Sequence, residues 1–194
     1  MKLDGLIQRY CPNEVVYKPL HEVTKLGAGD RVTKAMMCEN QLYPVYGGGV
    51  EPTGMYSNSN REKAVTIARA GSAGFVNWVE GKFWATDVCF VAEQLEGKES
   101  PNIKYVYYYL KHKQPVLQKQ LYGGTLPKLN KEFLWSFPIP LPPLPVQEEI
   151  VRILDSFTQL TAELTAELEA RTKQYEFYRE KLLSFDGLQG GACK

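Results

Sequence analysis

The stretch FPIPLPPLPVQEEIVRILDSF, residues 137–157, holds the change of character on which the architecture turns. Its first half carries Pro138, Pro140, Pro142 and Pro143. Proline has no N–H to give to a ladder, so this half admits at most an edge strand before a stiff connector. Pro145 then suits a first helical position, and Glu148 and Glu149 fall in a first turn where the helix dipole favours acid. Residues 146–186 contain neither glycine nor proline, which predicts one long helix over 145–186. Along it Ile150, Ile153, Phe157, Leu160 and Leu164 step by three and four. The stripe then jumps by four to Leu168, a stutter that locally unwinds a supercoil, and resumes through Tyr175, Tyr178 and Leu182. At 1.5 Å per residue such a rod is roughly 60 Å long, more than a small domain is wide. Its apolar stripe therefore calls for a partner helix, from a second copy or from another protein. Gly187, Gly190 and Gly191 end it, and residues 187–194 read as a disordered tail.

Outward from this boundary, residues 1–144 read as one globular domain. The chain has 194 residues, 44% of them hydrophobic and 12% aromatic, enough for one ordinary core. An amphipathic stretch predicts a short helix near His21 to Lys25. LYPVY at 42–46 predicts a strand running into Gly47, Gly48 and Gly49, and EPTGMYSNSNREK at 51–63 predicts an exposed loop. AVTIARA at 64–70 and VCFVA at 88–92 read as strands, and GFVNWV with KFWAT reads as a hairpin turning at Glu80-Gly81. Ser100 and Pro101 mark a helix start, followed by Ile103, Val106, Tyr107 and Leu110 at amphipathic spacing. The expected class is α+β: a mixed domain with a curved sheet, then one long C-terminal coiled-coil helix.

Several function classes find no support in the residues. No run of 18 apolar residues exists and Met1 to Tyr10 lacks the order of a signal peptide, so no membrane contact and a cytoplasmic location are expected. Cys11, Cys38, Cys89 and Cys193 form no close pair, and His21 and His112 lie near none of them, which argues against a metal site. The glycines at 71, 74, 123 and 124 are not followed by the Gly-Lys-Ser/Thr ending of a phosphate loop. No nucleophile-base arrangement is visible.

Charge divides the chain. Residues 1–145 hold 17 Lys+Arg against 13 Asp+Glu, and residues 146–185 hold 5 against 8, so net charges of +4 and −3 lie side by side. A mildly basic domain beside an acidic rod suits a nucleic-acid reader, although many enzymes share that balance. The amide and basic residues that could act there fall in predicted loops: Asn58, Asn60 and Arg61; Arg69 and Ser72; and Lys119, Tyr122, Thr125 and Lys128. Arginine can bond guanine O6 and N7 together and asparagine can do the same to adenine, while Lys82, Lys119 and Lys128 suit phosphates.

These residues together resemble a known family, the specificity subunits of type I restriction-modification systems. FPIPLPPLPVQEEIVRILDSF, running on to YREKLLSF, is similar to the central region of that family. CPNEVVYKPLHEV near the start resembles its usual entry segment, and YPVYGGG, ARAGSAGFVNWVEGKFWATD and YGGTLPKLNKEFL resemble the interior of its target-recognition domains. The resemblance implies a non-enzymatic subunit that reads double-stranded DNA and recruits methyltransferase and restriction subunits. S-adenosylmethionine, ATP and magnesium would be held by those partners and none by this chain. In keeping with that, the Asp/Asn-Pro-Pro-Tyr/Phe motif of adenine methyltransferases is missing; PLPPLP at 140–145 lacks the acid or amide and the aromatic. Family members usually carry two recognition domains and two helical regions, whereas this sequence has one of each. The implied arrangement is a half-subunit pairing with a second copy, or with a different half-subunit, through Ile153, Phe157, Leu160, Leu164, Leu168, Tyr175, Tyr178 and Leu182. Rival readings are a subunit of another multi-subunit restriction system, an interaction module that touches no DNA, and an enzyme with its own site.

Overall fold

The computed structural model describes Gly5, Tyr10 and residues 14–38, 40–97 and 100–184. The tail expected over 187–194 and part of the CPNEVVYKPLHEV segment lie outside the described residues. Contacts divide the chain into two compact units, which meet between Val151 and Arg152.

The first unit is built on a curved sheet of six strands: β2 (Thr24–Ala28), β3 (Tyr43–Tyr46), β4 (Met55–Tyr56), β5 (Arg61–Ala68), β6 (Val76–Ala85) and β7 (Cys89–Gln94). Their spatial order is β2-β7-β5-β6-β3-β4, antiparallel throughout except for the parallel pair β3–β6. AVTIA at 64–68 is buried without a break because β5 is a central strand covered on both faces. Side chains alternate across it as a pleat requires: Val65 and Ile67 join the main core, Ala64 the smaller cluster of Val79, Phe83, Ala85 and Val91.

Helices cover the first of these faces: α1 (Leu20–Val23), α2 (Ile103–His112), α3 (Gln114–Lys119) and α4 (Lys131–Trp135). The main core joins Leu20, Val76, Phe90, Val106, Leu110, Leu117, Leu134 and Ile139. α2 keeps the expected apolar face, but its cap is Asn102, whose side chain accepts from the N–H groups of Lys104 and Tyr105. Ser100, expected to start the helix, instead accepts from the Gln94 amide. The predicted helix near His21 to Lys25 is the single turn α1, since Thr24 and Lys25 already pair with β7. The stretch 51–63 is only partly loop, because β4 and the start of β5 lie within it.

The expected hairpin at Glu80-Gly81 does not exist. Val76–Ala85 is one strand, and against β5 the pairs Glu62–Lys82 and Ala64–Val79 leave Glu80 and Gly81 opposite Lys63 alone. Glu80-Gly81 is thus a β-bulge, the other reading of a glycine inside a strand pattern, and Lys63 takes a positive φ of 46°. The true turn lies at Arg69–Phe75: Ile67 pairs with Val76, and Gly71 and Gly74 take φ of 76° and 81°.

Two small ladders complete the unit. β1 (Tyr17–Pro19) pairs with β10 (Pro138–Pro140), the proline-bearing edge strand that the sequence allowed. β8 (Leu121–Tyr122) pairs with β9 (Lys128–Leu129). The long helix α5 spans Leu144–Leu183, and its first two turns belong to the globular unit through buried Val146, Gln147 and Val151. Gln147 ties the two helix starts together. Its Oε1 accepts from the Asn102 N–H at 2.9 Å, and its Nε2 donates to the Pro142 carbonyl at 2.7 Å. Among the described residues no helix is long and apolar enough to cross a membrane.

Candidate functional site

Three loops meet beside the C-terminal end of β5. The Ser72 N–H donates to the Gly48 carbonyl at 2.7 Å, which fastens the β5–β6 turn to the glycine loop after β3. The contact is close: a Cβ on Gly48 would stand 2.2 Å from the Ala70 oxygen, and one on Gly71 would stand 2.7 Å from the Gly48 oxygen. Only glycine allows this approach. From the other side the Leu129 N–H donates to the Arg69 carbonyl at 2.8 Å, and Ala70 bridges Lys128, so the β8–β9 hairpin is fastened to the same turn. α3 joins through Gln118, which packs on Gly74 next to Lys119.

The underside of the turn is fixed by α2 and α3. Lys111 Nζ donates to the Val76 carbonyl at 2.8 Å and lies 4.0 Å from the centre of the Phe75 ring. The Val76 N–H donates to Gln114 Oε1 at 3.0 Å. Burial lowers the Lys111 pKa from the ordinary lysine value. Arg69 sets its guanidinium over the Phe90 ring at 5.6 Å. The backbone of the cluster is therefore anchored at every loop. Lys119, Tyr122, Thr125, Leu126 and Lys128 stay exposed, and Arg69 and Ser72 half-buried.

Asn60 and Arg61 behave differently. The Asn60 Nδ2 donates to Asp30 Oδ2 at 2.9 Å and to the Ala85 carbonyl at 3.0 Å, while its Oδ1 accepts from the Ala85 N–H at 2.7 Å. Both ends of the amide are used. Arg61 donates to the carbonyls of Asn60 and Ala28 at 2.7 and 3.0 Å, and its Nε lies 3.5 Å from a Glu93 carboxylate oxygen. The Trp84 indole donates to the Asp30 carbonyl at 2.9 Å and the Asp30 N–H to the Ala85 carbonyl, also at 2.9 Å. Together these bonds draw the end of β6 back to the outer strand β2. The expectation that Asn60 and Arg61 sit on an exposed loop is corrected: they are the clamp that holds the sheet curved. Asn58 is exposed just before this clamp, and Lys82 is exposed on β6 opposite Glu62; neither belongs to the loop convergence.

In the second unit, the stripe residues Phe157, Leu160, Leu164, Leu168, Tyr175, Tyr178 and Leu182 are each at least half exposed. Phe177 and Leu183 are exposed beside them. Among the described residues no group of three His, Cys, Asp or Glu side chains could hold a metal ion.

A family model, the type I restriction modification DNA specificity domain, matches residues 12–174. The chain belongs to this family. A predicted type I restriction enzyme specificity subunit of Haemophilus influenzae is 39% identical over 187 residues, covering 90% of this chain and 47% of the relative. A type I restriction enzyme specificity subunit of Escherichia coli is 33% identical over 189 residues, covering 89% and 45%. This specificity domain thus spans about half the length of the curated relatives it matches. A crystal structure of the type I restriction-modification S subunit from M. genitalium superposes with a TM-score of 0.73 at 23% identity, covering 90% of this chain and 47% of that one. The likeness is one of fold: a mixed domain with a curved open sheet and a long helix.

Within this specificity domain, sequence reasoning found the loops but not their meeting. Arg69, Ser72, Lys119, Tyr122, Thr125 and Lys128 come together; Asn58, Asn60, Arg61 and Lys82 do not join them. It missed Lys111 and Gln114, which hold the turn from below. The only signal was the place of Lys111 at the end of an amphipathic helix and of Gln114 just beyond it, and nothing in that spacing points to Val76.

Proposed function

We propose that this chain is a non-catalytic, DNA-reading part of a type I restriction-modification enzyme, and that the loop convergence is the surface that lies on the duplex. In this reading Arg69, Ser72 and Thr125 face base edges, and Lys119 and Lys128 neutralise phosphates. Asn60 and Arg61 hold the sheet that carries the loops and read nothing. The observation that carries the reading is the anchoring itself. Three loops from distant parts of a DNA specificity domain are fastened by backbone bonds at one place, leaving polar and basic side chains exposed. Direct readout needs such preorganised donors, because a base edge rewards only groups already in position.

The long helix pairs its apolar stripe with a second helix, contributed by another copy or by a further part of the same protein, and spaces two half-sites. Methyltransferase and restriction subunits dock on the assembly. They supply S-adenosylmethionine-dependent methyl transfer and ATP- and magnesium-dependent cleavage, and this chain holds none of these cofactors. Supporting this is the exposure of the stripe: an apolar face of that length is stable in water only when something covers it.

Fluorescence anisotropy of the chain, alone and with methyltransferase subunits, against a duplex selected from a randomised pool tests the first part. A preference of about 10³ or more over random duplex is expected, and equal affinity for both would overturn it. Sedimentation tests the second. Leu160→Glu with Leu164→Glu should abolish association while the recognition domain stays folded; association that survives would rule the stripe out.

A further inference from the structure

The β8–β9 hairpin presents one side chain that polar recognition does not explain. Leu126 is 72% exposed at its tip, and Tyr122 on the adjoining strand is 49% exposed. The tip projects into open space, where a Cβ on Gly124 would meet nothing within 4 Å. It is also held in place. Tyr122 pairs with Lys128, Leu129 is buried in the main core, and the Leu129 N–H bonds to Arg69. Pro127, with its fixed φ, stiffens the link between Leu126 and that anchor. Leu126 is therefore an exposed apolar side chain on an anchored hairpin, flanked in sequence by two exposed lysines, Lys119 on α3 and Lys128 at the base of the hairpin.

A two-stranded hairpin of this kind fits the major groove, which is about 12 Å wide. Among base edges displayed there, the one apolar group is the 5-methyl of thymine. We propose that Leu126 is a specificity-determining residue that selects thymine at one position of the target by packing on that methyl. The proposal rests on the DNA-reading role above and adds to it the residue and the atom it recognises. In this arrangement Lys119 and Lys128 seat the hairpin against the flanking phosphates.

The test uses the full chain with methyltransferase subunits and a duplex obtained by selection. Each thymidine in turn is replaced by deoxyuridine, which removes only the methyl, and binding is measured for the wild type and for Leu126→Ala. One thymine should emerge whose replacement weakens the wild type about fourfold, the effect of one buried methyl-sized group. The same replacement should leave Leu126→Ala unchanged. Sequence-specific binding with no methyl-dependent thymine would overturn the inference and spare the DNA-reading role, and so would a methyl effect that persists in Leu126→Ala. Absence of any sequence-specific binding would overturn both.

Discussion

The segment NSNR at 58–61 and the loops that carry Arg69, Ser72 and Lys119 to Lys128 look alike as sequence: polar, basic, rich in amides and turn formers. In the fold they have opposite fates. Asn60 and Arg61 spend hydrogen bonds on Asp30, Ala85 and Ala28, Arg61 also forms an ion pair with Glu93, and the Arg61 side chain is only 20% exposed. In the loop convergence it is the backbone that is bonded, through Gly48, Ser72, Arg69 and Leu129, while the lysines and hydroxyls stay available. Residue type sets what a side chain can bond, and topology decides whether that capacity is already used. The first region converts it into stability and the second keeps it for a partner.

The comparison breaks most readily at Arg61. Arg61→Ala removes charge-assisted bonds to two carbonyls and leaves Glu93 with one cation fewer, so it should cost about 3 kcal/mol in urea unfolding. Base preference in the folded fraction should not change. A variant with wild-type stability and altered preference would reverse the roles assigned to the two regions. Arg69→Ala should do the opposite, relaxing preference at one base by about tenfold at a smaller cost in stability, read by binding to single-base variants of the selected duplex. Lys119→Ala and Lys128→Ala should each weaken binding evenly across sequences and reduce the slope of log affinity against log salt by about 0.9. The smallest effect concerns thiols. Cys89 is buried beside the clamp and burial pushes its pKa up to about 12, whereas Cys38 is exposed. At pH 8 alkylation followed by peptide mapping should therefore modify Cys38 in the native chain and Cys89 only on unfolding.

Local rules made much of this fold legible. The unbroken apolar run of β5, the amphipathic spacing of α2 and the prolines before α5 each carry their own physical cause, and each element lies where that cause puts it. Glu80-Gly81 shows where local rules stop. The dipeptide suits a turn as well as a bulge, and the choice is made by β5, whose Glu62 and Ala64 pair on either side of it. The clamp and the loop convergence were illegible for the same reason. Asn60 meets Ala85 across 25 residues and Arg69 meets Leu129 across 60, separations over which no periodicity carries information. The stripe on α5 was legible as a pattern, and its exposure follows from there being no core along residues 157–182 to receive it.

The most direct test of the account is site-specific photocrosslinking to a selected duplex, with a benzophenone amino acid placed in turn at Tyr122, Thr125 and Lys82. Crosslinks from Tyr122 and Thr125 and none from Lys82 are the predicted result, since only the first two belong to the anchored loops. Crosslinks from Lys82 with silence at Tyr122 and Thr125 would contradict the account and place the DNA against β6 at Lys82 instead of on the anchored loops.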